Sequence, residues 1–156
     1  VHSRSGVYLP SIMEQINNIT ELSELKKRVE TLESQILKPQ LTDLQHISML
    51  YDWYKSIASK IKDFPDEDST EYKQIFLFCI LILYCPRALT ADFMIRGLRQ
   101  QLAILFNLSP SHISNLIKNL SFYYKNYAKF RGDCDTVLAE IQFRIEKRIL
   151  DLIQRK

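Results

Sequence analysis

The run "IFLFCILILYC", Ile75 to Cys85, constrains this chain most, because it leaves no face for water. A helix that is apolar all round is buried in a protein or a membrane, whereas a surface helix carries a single apolar stripe. Spanning a bilayer takes about 20 apolar residues, and this run has eleven. It therefore predicts a central helix enclosed by others, stopping near Cys85-Pro86 because proline cannot continue a helix. A chain of 156 residues can build one such core with an appendage.

The flanking segments supply the enclosing helices. Gly and Pro number only 3 and 5, and no segment alternates with period two for long, so an all-α fold is expected. Thr42, with Gln45 three residues on, reads as a capping box. It is followed by the stripe Leu44, Ile47, Leu50, Tyr51, Tyr54, Ile57, Ala58 and Ile61. The acidic loop "DFPDEDST", Asp63 to Thr70, ends by capping the buried helix. Thr90 and Asp92 are placed to cap a helix through Phe93, Ile95, Leu98, Leu102 and Ile104 to Phe106. A further helix runs from about Pro110 towards Phe130, and Gly132 is placed to end it in the left-handed conformation. Asp133 or Asp135 then opens a C-terminal helix over 133–156 with Val137, Leu138, Ile141, Ile145, Ile149 and Leu152 on one face.

Ahead of this domain, expected over 42–131, a coiled-coil helix is expected over 14–38, with a heptad pattern from Ile19 to Leu37. Leu22, Val29 and Ile36 fall at the first core position, Leu25 and Leu32 at the second. Mostly β-branched residues at the first and Leu at the second favour a parallel two-stranded coiled coil. The flanking charges agree, because across such a dimer Glu21 meets Lys26 and Arg28 meets Glu33. The competing reading is a surface helix packed on its own domain. The seam is barely more than two heptads long, marginal for a helix standing alone. Residues 1–13 lack the apolar block of a signal peptide and are expected to form a poorly ordered extension.

The positive charge is concentrated in one segment. From Glu14 to Cys85, 8 Lys/Arg stand against 12 Asp/Glu, but from Pro86 to Arg131 there are 7 against 1. Such a local excess is the electrostatic footprint of a phosphate-binding surface, although many solvated faces are also basic. Cys79, Cys85 and Cys134 are odd in number and lack metal-ligand spacing, which argues against both a disulfide framework and a zinc site. A reducing cytoplasm, in association with the nucleoid, is the expected compartment.

Within the basic segment lies "LAILFNLSPSHISNLIKNL", Leu102 to Leu120. Two apolar helical patterns meet at Asn107-Leu108-Ser109-Pro110. Ala103 is small enough for close helix approach, and Leu102, Phe106 and Leu108 surround the turn. Ser109 is placed to cap the second helix, Pro110 suits its first turn, and Ile113, Leu116 and Ile117 point inward. Over about Leu98 to Leu120 the segment resembles the helix-turn-helix of bacterial and phage transcription regulators. Asn107 stands where that family prefers Gly, at a position of positive φ that Asn tolerates next best.

The resemblance implies a second helix in the major groove with its early outward side chains on base edges. Here those are Ser111, Ser114, Asn115 and Lys118. Asn pairs two-handed with adenine, Lys donates to guanine, and Ser serves either base. Arg96, Arg99, Gln100 and His112 would meet phosphates, which fix position without reading sequence. No acidic residue lies between Ser109 and Lys129. The expectation is a dimeric, sequence-specific double-stranded DNA-binding protein of a bacterial or mobile-element locus, regulating transcription without a cofactor.

Other readings remain open. Ser-capped helix pairs occur in many helical proteins, so a protein-binding scaffold without DNA is the competing class. "RGLRQQLAILFNLS" also resembles the helix preceding the reading helix of replication initiators, but "SPSHIS" lacks their Asp-His-Ser/Thr-Thr signature. Phage terminase small subunits join a helix-turn-helix to a coiled coil, usually in the reverse order. In "SFYYKNYAKFR", Ser121 to Arg131, aromatics interleave with cations as in single-strand stacking platforms. However, Tyr124 and Tyr127 continue the stripe of Ile113, Leu116, Ile117 and Leu120, which favours core packing. Trp53 beside Tyr51 and Tyr54 is read as core in the same way. His2, His46 and His112 are far apart, and no nucleophile elbow or metal-binding helix motif appears, so no enzymatic activity is expected.

Overall fold

The computed structural model describes residues 9, 11–36 and 38–154, without the side chains of Ile36, Leu150, Leu152 and Ile153. The described residues are all-helical: α1 (Ile12–Ile36), α2 (Ile47–Ala58), α3 (Thr70–Tyr84), α4 (Leu98–Phe106), α5 (Pro110–Ile117), α6 (Leu120–Asn126) and α7 (Ala128–Gln154), with 3-10 turns at Leu44–His46 and Pro86–Leu89. None of these helices is long and apolar enough to cross a membrane. The chain divides into two units, residues 1–38 and 39–156.

In the first unit, α1 opens on a reciprocal cap. Ser11 Oγ accepts from the Glu14 amide at 3.2 Å, and the Ser11 amide donates to Glu14 Oε2 at 3.3 Å. This is the capping-box arrangement, and it starts the helix at Ile12, within the stretch expected to be an extension. Residues 1–8 and 10 of that stretch lie outside the described residues. Leu22, Leu25, Val29 and Leu32 are all exposed along α1, as are Ile12, Ile16 and Ile19 nearer its start. The side chain of Ile36, the last member of the heptad, lies outside the described residues.

The second unit is organised around α3. Every side chain from Ile75 to Leu81 is buried, because α2, α5 and α7 all pack against α3. Burying one such apolar side chain stabilises a fold by about 1.5–3 kcal/mol. Ser69 caps α3 by accepting from the Tyr72 amide at 3.1 Å. At the other end the Leu83 carbonyl accepts from the amides of Gln40 and Leu41, both at 3.0 Å, which ties down the entry to the unit.

An aromatic cluster joins α2 to α3 and α4. Phe106, the last residue of α4, meets Tyr51 and Phe76 edge-on, with centroids 5.4 and 6.0 Å apart. Edge-to-face pairs of this kind add to plain area burial. The buried phenols find acceptors in the backbone: Tyr54 donates to the Tyr72 carbonyl at 2.6 Å and Tyr84 to the Asp43 carbonyl at 2.8 Å.

Several helix limits differ from those read in the sequence. Asp43, not Thr42, makes the cap, accepting from the Gln45 amide at 2.9 Å to open a 3-10 turn ahead of α2. Residues 90–97 are not helical, so neither Thr90 nor Asp92 caps α4. The expected helix from Pro110 to Phe130 is broken after Ile117 and again at Tyr127. The first break lets Leu120 enter the core while Ser121 donates its hydroxyl to the Leu89 carbonyl. Gly132 lies inside α7, where its backbone is helical and a glycine stop has no effect. Asp133 is not a cap there; it takes Lys129 Nζ at 2.8 Å one helical turn away. Asp135 accepts from the Tyr124 hydroxyl at 2.6 Å. On α7, Val137 and Ile141 are buried, Leu138 and Ile145 half-buried and Ile149 exposed, while the side chain of Leu152 lies outside the described residues.

Burial holds the phenols of Tyr72 and Tyr84 up to about 12, with Tyr51 and Glu67 adding for the first and Asp43 for the second. Burial raises Tyr54 as well. Below about pH 10 the folded and unfolded chains both keep these protons. Above it the unfolded chain loses them first, so stability is expected to fall from about pH 10 upward, through about 12. Urea midpoints measured across this range test it, and a flat profile contradicts it.

Candidate functional site

The site is built around the turn between α4 and α5. Gly97 precedes α4 at φ 89°, a left-handed conformation that glycine adopts without steric cost. Along α4, Leu98, Leu102 and Ala103 are buried. The helix ends at Asn107, φ 53° and ψ 48°. The Asn107 amide donates to the Ile104 carbonyl at 3.2 Å and the Leu108 amide to the Ala103 carbonyl at 2.9 Å. These two bonds make a Schellman closure, which satisfies carbonyls that the helix end leaves open.

Two residues later the chain re-enters a helix. Ser109 is extended and its Oγ accepts from the His112 amide at 3.1 Å, with Pro110 in the first turn. Ile113 and Leu116 are buried, and the Leu116 carbonyl accepts from Gln74 Nε2 of α3 at 3.3 Å. The inward face of α5 is thus held by the core helix. At about 100° per residue, Ser111, Ser114, Asn115 and Lys118 share an arc of about 100° on the opposite side.

Ser111, Asn115 and Lys118 are exposed, and Ser114 is half-buried. The Ser114 hydroxyl donates to the Pro110 carbonyl at 3.1 Å, so its proton is already engaged and it offers outward lone pairs. Arg96, Gln100 and His112 are exposed, whereas Arg99 is half-buried. Arg99, Ser114, Asn115 and Lys118 line one cleft of about 530 Å³. Arg96 and Gln100 line a smaller recess beside it, to which Arg99 also contributes.

The cleft is also lined by Ala88 to Met94, which was not part of the site read in the sequence. Phe93 lies under the Arg87 guanidinium at 4.6 Å, and the Ser121 hydroxyl holds the Leu89 carbonyl. Asp92 also lines this cleft. The outward face of α5 is free of acid along its own helix, but Asp92 borders it in space. No periodicity links residues 88–94 to α5; the packing of both α5 and the Pro86–Leu89 turn on α3, with the Ser121–Leu89 bond, brings them together.

The aromatic segment after α5 is mostly committed internally. Tyr124 stacks on Phe78 at 4.7 Å and 9°, Phe130 is buried, and Arg131 donates to the Tyr124 and Lys125 carbonyls. Phe122 and Tyr127 stay exposed against one another, so the stripe expected from Ile113 to Tyr127 ends before Tyr127. Trp53 is half-buried, with Arg144 6.0 Å above its ring. Cys79, Cys85 and Cys134 are free and buried, and burial pushes the thiols of Cys79 and Cys134 well up. Among the described residues, no group of three His, Cys, Asp or Glu is placed to hold a metal. No family model, curated protein or solved structure matches the chain.

The turn makes a stability prediction. Left-handed φ costs an ordinary residue about 1–2 kcal/mol and a β-branched one more. Asn107→Val is therefore expected to destabilise the chain by about 2 kcal/mol or more, while Asn107→Gly leaves it equal or more stable. Denaturant titration of both variants checks this, and an Asn107→Val chain as stable as the parent contradicts it.

Proposed function

We propose that the chain binds double-stranded DNA in a sequence-specific manner, with α4 and α5 acting as a helix-turn-helix and α5 lying in the major groove. The observation that carries the reading is the turn itself. Asn107 in the left-handed region and Ser109 capping α5 set two helices so that Ser111, Asn115 and Lys118 face outward, while Ile113 and Leu116 anchor to α3. Asn115 suits adenine and Lys118 guanine, each by its donor pattern. Ser111 and the acceptor side of Ser114 complete the base contacts. Arg96, Gln100 and His112 meet phosphates, with Arg99 at the cleft edge.

The exposed seam of α1 supports parallel pairing of two copies. Among the described residues, Glu21, Lys26, Arg28 and Glu33 form no ion pair within the chain, which leaves them open to the cross-strand pairs of a coiled coil. A two-fold dimer on a site with two related halves fits a transcription regulator of a bacterial or mobile-element locus. The same seam also favours a second reading, a helical scaffold whose α1 recruits a different helix and which binds no DNA.

Selection from a random duplex pool at low salt tests the first reading directly. Binding is expected to weaken about tenfold or more between about 50 and about 200 mM salt, as counterions compete for the phosphates. Asn115→Ala is expected to relax base preference at one position at a cost of about 1–3 kcal/mol. Arg96→Ala is expected to weaken all sequences alike and lower the salt slope by about 1. No binding to the pool at low salt rejects the reading.

For the dimer, Val29→Asp places a charge on an exposed seam residue without touching the core of the second unit. Sedimentation equilibrium is expected to change from dimer to monomer. A dimer of unchanged strength removes α1 from this role.

A further inference from the structure

Arg99 differs from the other half-buried arginines. Arg131 donates to two backbone carbonyls, and Arg144 lies over the Trp53 ring. Arg99 has no such partner: among the described residues no hydrogen bond, ion pair or ring contact holds its guanidinium. Its Nε is the one buried side-chain polar atom there without an acceptor. Leaving a buried N–H of a guanidinium without an acceptor is unfavourable, and nothing among the described residues offsets this.

The same side chain lines the cleft of about 530 Å³, a volume in the range of small-molecule sites, about 300–1,000 Å³. Lys118, Asn115 and Arg99 line it together with Thr90, Phe93 and Met94. The lining thus includes two cations and hydrogen-bonding side chains beside an aromatic ring and a thioether. Asp92, also on the cleft, forms no ion pair with either cation among the described residues, and its charge repels an anion placed close to it.

We propose that this cleft binds a small organic phosphate, its phosphate held by Arg99 and Lys118 and its organic body lying along Phe93 and Met94. A forked guanidinium suits phosphate oxygens, and two cations favour a dianion over a single carboxylate. Turning towards such a group also gives the Arg99 Nε–H the acceptor it lacks. Binding of the phosphate stands apart from the DNA reading. Its consequence rests on that reading: Asn115 and Lys118 are shared, so an occupied cleft and base contacts exclude one another.

The 156-residue chain, isotopically labelled, is titrated at constant ionic strength with inorganic phosphate, with adenosine monophosphate and with a short duplex in separate arms. The readouts are the Arg99 Nε–H and Asn115 side-chain amide resonances. Adenosine monophosphate is expected to shift both and to slow exchange of the Arg99 proton, binding about tenfold or more tightly than inorganic phosphate because of the ring contact with Phe93. Phe93→Ala is expected to remove that advantage. Arg99→Lys, which keeps the charge but loses Nε and the fork, is expected to weaken binding about tenfold, followed at Asn115.

Resonances unmoved by both phosphates overturn the proposal. So does a response to the duplex alone, which assigns the cleft to a DNA backbone phosphate, or an Arg99→Lys chain that binds undiminished. If adenosine monophosphate binds but no duplex does, the site stands and the DNA reading fails. If both bind without competing, mutual exclusion is overturned.

Discussion

Seven consecutive side chains of α3, Ile75 to Leu81, are removed from water, and a helix buried on every side needs a neighbour on each. That requirement organises residues 39–156. α2, α5 and α7 supply the surrounding faces, and the Pro86–Leu89 turn closes the end. The candidate site follows from it, because α5 is one of those neighbours. Its inner residues Ile113 and Leu116 are fixed against the core, and Gln74 clamps the Leu116 carbonyl. Phe106 fixes α4 in the same way, through the aromatic rings of Tyr51 and Phe76. The outward arc of α5 is thus carried on a helix anchored to the core.

Much of the turn was legible in the sequence because its chemistry is local. A left-handed residue, a Ser that caps three residues ahead and a Pro in the first helical turn act over spans shorter than one helical turn. Asn107 and Ser109 adopt the conformations their positions predict. The buried run was legible for a similar reason: an eleven-residue stretch without a polar face has few places to go. The missing part of the site was the wall from Ala88 to Met94. Asp92 and Phe93 lie more than fifteen positions before Ser109 and carry no pattern that points to α5. A reading confined to α5 accordingly found the face free of acid, although a carboxylate borders the same cleft.

The helix limits show where local signals lose to packing. Gly132 invited a helix end, yet α7 runs through it, with Tyr124 bound to Asp135 and Lys129 to Asp133 along that stretch. A glycine costs a helix roughly 1 kcal/mol, which tertiary contacts on either side readily exceed. The helix expected to continue past Lys118 breaks instead, because Leu120 is buried and Ser121 binds the Leu89 carbonyl. α1 forms a separate unit, and its heptad seam is exposed. Apolar side chains at that spacing suit packing against a second helix.

The sequence by itself determined that the chain is helical, that Ile75 to Cys85 lies at its centre and that a tight turn joins two helices at Asn107. Each of these follows from periodicity, apolar run length or the backbone preferences of one or two residues. Only the tertiary structure decided that Arg99 Nε is buried without an acceptor among the described residues, that Arg99 shares a cleft with Asn115 and Lys118, and that Asp92 and Phe93 border it. Those facts depend on segments far apart in the chain meeting over α3. Burial and pairing are properties of that meeting rather than of any residue taken alone.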